Sequence, residues 1–173
     1  MAPWLRLAAA AAVLCASPAF AQIVPDGGTV TSVTTAASGK VTVKIAPAVR
    51  DGVSHNTYTQ FSVGRPGVDL SNVGIGARTI VNQVTGVDPS RVEGPLAVIG
   101  APAHVILANP NGVTVDGGSF ISSGRVALAT GIVSFVDRML TPITTQRNVV
   151  LTTSQGEIRI EGGVSRVRSV ISS

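Results

Sequence analysis

The sequence is almost without cysteine: Cys15 is the only one in 173 residues. It lies in an apolar N-terminal run, and everything after that run is thiol-free. A disulfide scaffold and a thiol enzyme are therefore excluded for the rest of the chain. Charge is sparse as well, with 13% charged residues against about 25% in an average domain. The 13 basic residues are scattered singly apart from Arg166 and Arg168, which leaves no nucleic-acid footprint. Aromatics make up only 3%. Trp4 and Phe20 belong to the N-terminal run, so Tyr58, Phe61, Phe120 and Phe135 are what remains. A β-sandwich normally fills the gap between its sheets with large aromatics, and this chain is poor in them. No apolar run reaches the roughly 20 residues that span a bilayer, so no stable membrane span is expected.

What is present is 45% hydrophobic residues, mostly small aliphatics, together with 19 glycines. High apolar content with low net charge is not a disordered composition. Residues 1–21 read as a secretory signal peptide. Arg6 supplies a short basic region, Leu7 to Ala16 an apolar one, and Ala19-Phe20-Ala21 a cleavage pattern before Gln22. Leu14 precedes Cys15 where a lipoprotein signal wants a small residue, so Cys15 reads as part of the signal and not as a lipid anchor. Residues 22–173 then form one domain. A thiol-free chain in an oxidising compartment can be threaded unfolded through a second membrane.

From Gln22 onward, short apolar runs rich in β-branched residues alternate with Gly, Pro, Asn, Asp and Ser. Strands are expected at 29–35, 41–45, 58–63, 79–84, 95–99, 104–108, 113–115, 119–121, 125–130, 148–153 and 157–161. The only helical candidate is 134–140, "SFVDRML". Turn signals every 8–12 residues mark an all-β architecture. A parallel β-solenoid, filled by ladders of Val, Ile, Leu and Ala, fits better than a sandwich or barrel. At about 20–45 residues per repeat, seven coils are expected.

No catalytic constellation stands out. His55 and His104 fall in different segments, and no carboxylate sits at metal-ligand spacing from either, so no metal and no cofactor are expected. His104, at a strand start, reads as a half-buried structural histidine. Asp88, Glu93 and Asp116 are the only acids near the middle of the chain. The sharpest local signal is Asn109-Pro110-Asn111-Gly112, inside "VILANPNGVTV". Asn at the first position can bond its own backbone, Pro fixes φ at the second, and Gly accepts positive φ at the fourth. These residues describe a tight type I turn.

Two longer blocks carry a resemblance. "SHNTYTQFSVGRPGVDLSN" (54–72) supplies Ser54, Asn56, Tyr58 and Phe61. "TIVNQVTGVDPSRVEGPLAVIGAPAHVILANPNGVTVDGGSFISSGRVALATG" (79–131) supplies Asn82, Pro89-Ser90, Gly94, Gly100 and the whole Asn109-Pro110-Asn111-Gly112 turn. Together they resemble the two-partner-secretion, or haemagglutination-activity, domain at the N-terminus of filamentous-haemagglutinin-like exoproteins of Gram-negative bacteria. The last residues, 156–171, are similar to the final coils of that domain.

The resemblance implies a right-handed parallel β-helix, a single-stranded solenoid, with N-terminal capping strands. It also implies a non-enzymatic task. The domain would leave the periplasm unfolded, be recognised by the POTRA domains of an outer-membrane transporter, pass through its barrel and seed β-helix folding outside. The product would be secreted or held at the cell surface. Three departures stand out: "VGIGAR" (73–78) replaces an NPNL motif, no cysteine pair follows the turn, and no passenger follows Ser173. The rival readings are a small self-standing adhesion protein that binds a host-cell receptor or glycan, and a β-helical polysaccharide lyase. The lyase would need Asp88, Glu93 and Asp116 clustered with a basic residue.

Overall fold

The computed structural model describes residues 23–142, 144–153 and 156–162. The expected signal peptide and the segment beyond 162 lie outside them. Runs of alternating burial place one residue in two towards a shared interior, which is the period of a strand. Among the described residues the first elements are β1 (Ile23–Pro25), β2 (Ser32–Thr35) and β3 (Val41–Lys44), followed by a 3-10 turn at Arg50–Gly52. Next come β4 (Val53–Phe61), β5 (Val68–Ser71), β6 (Thr79–Val84), β7 (Ser90–Val92), β8 (Pro95–Ile99), β9 (Ala103–Ala108), β10 (Val113–Val115), β11 (Ser119–Ile121) and β12 (Ser123–Ala129). A long pair, β13 (Gly131–Thr141) and β14 (Thr144–Thr153), precedes β15 (Ile158–Ile160).

Three sheets form the body. β1-β4-β6-β9-β12 is the first, β2-β3-β5-β8-β11 the second and β7-β10-β15 the third. The chain visits them in rotation, and every pairing from β3 and β4 onward within them is parallel. This is a parallel β-solenoid of about three turns. Ser54, Ile80, Val105 and Val126 share one inward row, so successive coils run 26, 25 and 21 residues. The expected capping strands are present: β1 runs antiparallel to β4, and β2 antiparallel to β3. They close the two sheet edges that would otherwise be exposed at that end.

The interior is a column of aliphatic rows. On the second sheet, Val41, Val68, Leu96 and Phe120 stack across four strands. Val43, Leu70 and Val98 form the next row. All but Phe120 are fully buried, and Phe120 is partly buried against the same cluster. Such a narrow column has no room for a pair of aromatic layers, which accounts for the aromatic shortage.

Two expectations fail here. The seven coils become about three, because the antiparallel cap β1–β2 precedes them, each coil takes 21 to 26 residues, and β13–β14 takes another two dozen. The helix at 134–140 is instead the middle of β13, paired antiparallel with β14 in register from Gly131↔Thr153 to Met139↔Thr145. This hairpin leaves the solenoid and folds back over the outer face of the first sheet. Val133, Phe135, Val149 and Leu151 meet Val53, Val81, Ile106, Ala108 and Ala129 there, forming a second hydrophobic cluster. Among the described residues, no helix is long and apolar enough to cross a membrane.

Candidate functional site

The first block, Ser54 to Phe61, is β4, which sits between the cap and the second coil. Alternation sends Ser54, Asn56 and Tyr58 into the column beside Asn82, which pairs with Asn56 in register. All four are fully buried, and Phe61 is 1% exposed. Buried polar groups must be bonded, and these are. Asn56 Oδ1 accepts from Thr31 Oγ1 and from the Ala46 backbone N–H, both at 2.8 Å. Asn56 Nδ2 donates to Ser54 Oγ at 3.1 Å and to the Val81 carbonyl at 3.2 Å. Ser54 Oγ donates in turn to the Ala46 carbonyl at 2.7 Å.

The network continues into the next coil. Tyr58 donates its hydroxyl to Asn82 Oδ1 at 3.1 Å, and Asn82 Nδ2 donates to the Ile106 carbonyl at 3.3 Å. Burial pushes the Tyr58 phenol well above its ordinary pKa, so it acts as a neutral donor. Phe61 meets the Tyr58 ring edge-on, with centroids 4.9 Å apart. The block thus ties the antiparallel cap, the first coil and the second coil through side chains that no surface exposes.

Asn109-Pro110-Asn111-Gly112 lies where the chain leaves β9 for β10. The Gly112 N–H donates to the Asn109 carbonyl at 3.1 Å, and the Asn111 N–H donates to Asn109 Oδ1 at 2.9 Å. Gly112 has φ +115°, so only glycine fits easily. This is the tight turn expected from the sequence. Its side chains also reach the preceding coil. Asn109, fully buried, donates Nδ2 to the Asp88 carbonyl and Ser90 Oγ, both at 2.9 Å. Asn111 Nδ2 donates to the Gly86 carbonyl at 2.7 Å.

A second corner of this kind escaped the sequence reading. Asn72 is 1% exposed. Its Oδ1 accepts from the Ala77 N–H at 2.8 Å, and its Nδ2 donates to the carbonyls of Ala77 and Ala101 at 2.9 and 2.8 Å. The segment "VGIGAR" is the loop that Asn72 closes, with Gly74 and Gly76 both at positive φ. The usable signal was an asparagine ahead of two spaced glycines. Asp26 was also missed. It accepts from the Gly28 N–H at 2.8 Å and from the hydroxyls of Thr57 and Thr85, fastening the start of the cap to two coils.

The lyase reading meets a mixed result. Glu93 and Asp116 do come together, one coil apart, and with Arg65 and Gly117 they line a cavity of about 320 Å³. Asp88 does not join them; it accepts from Gln60 Nε2 at 2.7 Å. Among the described residues, no group of three or more His, Cys, Asp or Glu could hold a metal ion. His104 is exposed, not half-buried, because it falls on the outward side of β9. His55 is partly buried against the Phe135 ring, 4.8 Å between centroids.

Comparison with known proteins agrees with this architecture. A family model described as "TPS secretion domain" matches residues 21–170. The solved structure of a filamentous haemagglutinin secretion domain is similar, with a TM-score of 0.68 and 34% identity, covering 82% of this chain and 50% of that one. A haemolysin of Proteus mirabilis is 32% identical over 173 aligned residues, 87% of this chain and 11% of the haemolysin. The tRNA nuclease CdiA-2 of Burkholderia pseudomallei is 36% identical over 135 residues, 66% of this chain and 4% of the nuclease. The chain therefore spans only a small part of the curated relatives it matches.

Proposed function

The chain belongs to the family of TPS secretion domains, and on that premise we propose that it is the exported secretion domain of an adhesin-type exoprotein. After removal of residues 1–21 it crosses the periplasm unfolded. The POTRA domains of a dedicated outer-membrane transporter recognise it there, and it folds outside the cell as the template for further β-helical coils. It performs no chemistry of its own.

The burial of the first block supports this order of events. Ser54, Asn56, Tyr58, Phe61 and Asn82 are at most 1% exposed, so a partner can read them only while the chain is unfolded. An extended segment adding a strand to a sheet edge is a recognition mode that suits such a chain. The turn at Asn109 to Gly112 has a different part. Its side chains are spent on coil-to-coil bonds, so it secures the fold and not the partner.

Co-expression with and without the transporter tests the proposal. Secretion into the medium should require the transporter and should fail when Asn56 and Tyr58 are replaced, with the chain still detectable in the periplasm. Release that is independent of any partner would refute it.

A further inference from the structure

The hairpin β13–β14 leaves an unfilled space beside the solenoid. Between Val149 and Leu151 of β14 and the outer face of the first sheet lies a cavity of about 310 Å³, at the lower end of the range for small-molecule sites. Its wall is apolar, formed by those two residues with Ile106 and Ala127. Its rim is polar, formed by Thr79, His104 and Arg125.

The rim is built by a local irregularity. β12 follows β9 in register at Ser123↔Ala103 and again from Val126↔Val105. Gly124 and Arg125 therefore oppose the single residue His104, which is a β-bulge in an otherwise regular ladder. A Cβ on Gly124 would sit 3.0 Å from the His104 ring, so the glycine makes room for the imidazole. The bulge sets Arg125 next to it. Arg50, Arg78, Arg91, Arg147 and Arg159 are all ion-paired, whereas neither the Arg125 guanidinium nor the His104 ring has a hydrogen-bond or ion-pair partner among the described residues, the His104 backbone N–H alone donating to the Arg78 carbonyl at 2.8 Å. A fixed cation beside an imidazole, at the edge of a largely apolar cleft, is complementary to an anion with an aliphatic tail.

The geometry points to a binding site for a free, monomeric medium-chain carboxylate: the head group on Arg125 and His104, the chain against Ile106, Ala127, Val149 and Leu151. Neither the family nor the secretion role requires such a site.

Calorimetric titration of the purified chain with decanoate tests it, with decanol and decyltrimethylammonium as probes of equal chain length. Decanoate should bind at one site, and decanol and the cation at least about tenfold more weakly. Arg125→Gln, at an exposed position, should weaken decanoate about tenfold or more, since a hydrogen bond to a charged group is lost. Ala127→Leu should abolish binding by filling the cleft while Arg125 stays in place. Amide NMR shifts with decanoate should centre on β9, β12 and β14. The inference is overturned if decanoate binds no better than decanol, if Arg125→Gln leaves its affinity unchanged, or if the shifts fall elsewhere. It is also overturned if vesicles containing anionic lipid bind through Arg125 while decanoate does not.

Discussion

The solenoid coils and the β13–β14 hairpin hold themselves together by different means. In the coils, polar side chains point inward and bond the backbone of the neighbouring coil: Asn56, Asn72, Asn82 and Asn109 each do so. Every such residue is at most 1% exposed. The hairpin rests on a small outer cluster and on surface charges. Phe135 meets the His55 ring edge-on, and the Arg147 guanidinium lies over the Phe135 ring, 5.4 Å from its centroid. Asp137 pairs with Arg147 at 2.7 Å and with Arg50 at 2.8 Å, and the Arg147 N–H donates to Asp51. On the far side Ile132, Val136 and Leu140 are more than half exposed. Satisfied buried networks specify one structure and cost much when broken, while exposed ion pairs contribute little. The coils should therefore unfold together, and the hairpin should open on its own first.

Breaking the buried network should have the largest effect. Asn56→Ala leaves the Thr31 hydroxyl and the Ala46 N–H without their acceptor, and at about 1–3 kcal/mol for each orphaned group the domain should lose about 3–5 kcal/mol. Urea unfolding of the refolded chain measures this. Asn109→Ala removes the same kind of bond at one corner and should cost about 2–3 kcal/mol. Asn111 reaches only one carbonyl of the earlier coil, so Asn111→Ala should cost about 1 kcal/mol in the same assay.

The hairpin should respond differently. Phe135→Ala removes a half-buried ring, and about 2 kcal/mol of local protection should vanish from β13 and β14 amides. Hydrogen exchange in β6 and β9 should stay unchanged. The smallest effect concerns pH. The hydrogen bond from Arg147, with the nearby Arg50, holds the Asp137 carboxyl below its ordinary value of 3.8. A lowered folded value means that the pairing contributes fully above pH 4 or so and is lost as pH falls through the folded value. Hairpin protection should thus be flat from pH 7 to about 5 and fall only in more acid solution. Asp26 follows the same sign. Burial raises its carboxyl, but hydrogen bonds from Thr57, Gly28 and Thr85 outweigh this and lower it, so the cap should loosen in the same acid window.

The contrast also explains what the sequence could and could not disclose. The turn at 109–112 was legible because its four residues suffice to define it. Most body strands were legible because small β-branched residues alternate between turn signals, but the short β5 and β7, each set among Gly, Pro, Asp and Ser, were not expected. The partners of Asn56 were not, since Thr31 and Ala46 lie 25 and 10 residues away and meet it only through the cap. Asn72 was hidden because its loop departs from the family pattern. The hairpin was misread for a physical reason. Val133 and Phe135 face the outer cluster while Ile132 and Val136 face solvent, so apolar residues lie on both faces and conceal the period of two. The register that reveals β13 is supplied by β14, which the sequence marks only in part.

A partner can read the first block only before Asn56 and Tyr58 are buried. Capture of the chain on the immobilised periplasmic region of the transporter, sampled at intervals after dilution from urea, measures this directly. Binding should be strong at the earliest times, decay at the rate at which Tyr58 becomes buried, and persist in Asn109→Ala for as long as that variant folds more slowly. Equally tight capture of the fully folded domain would contradict the account.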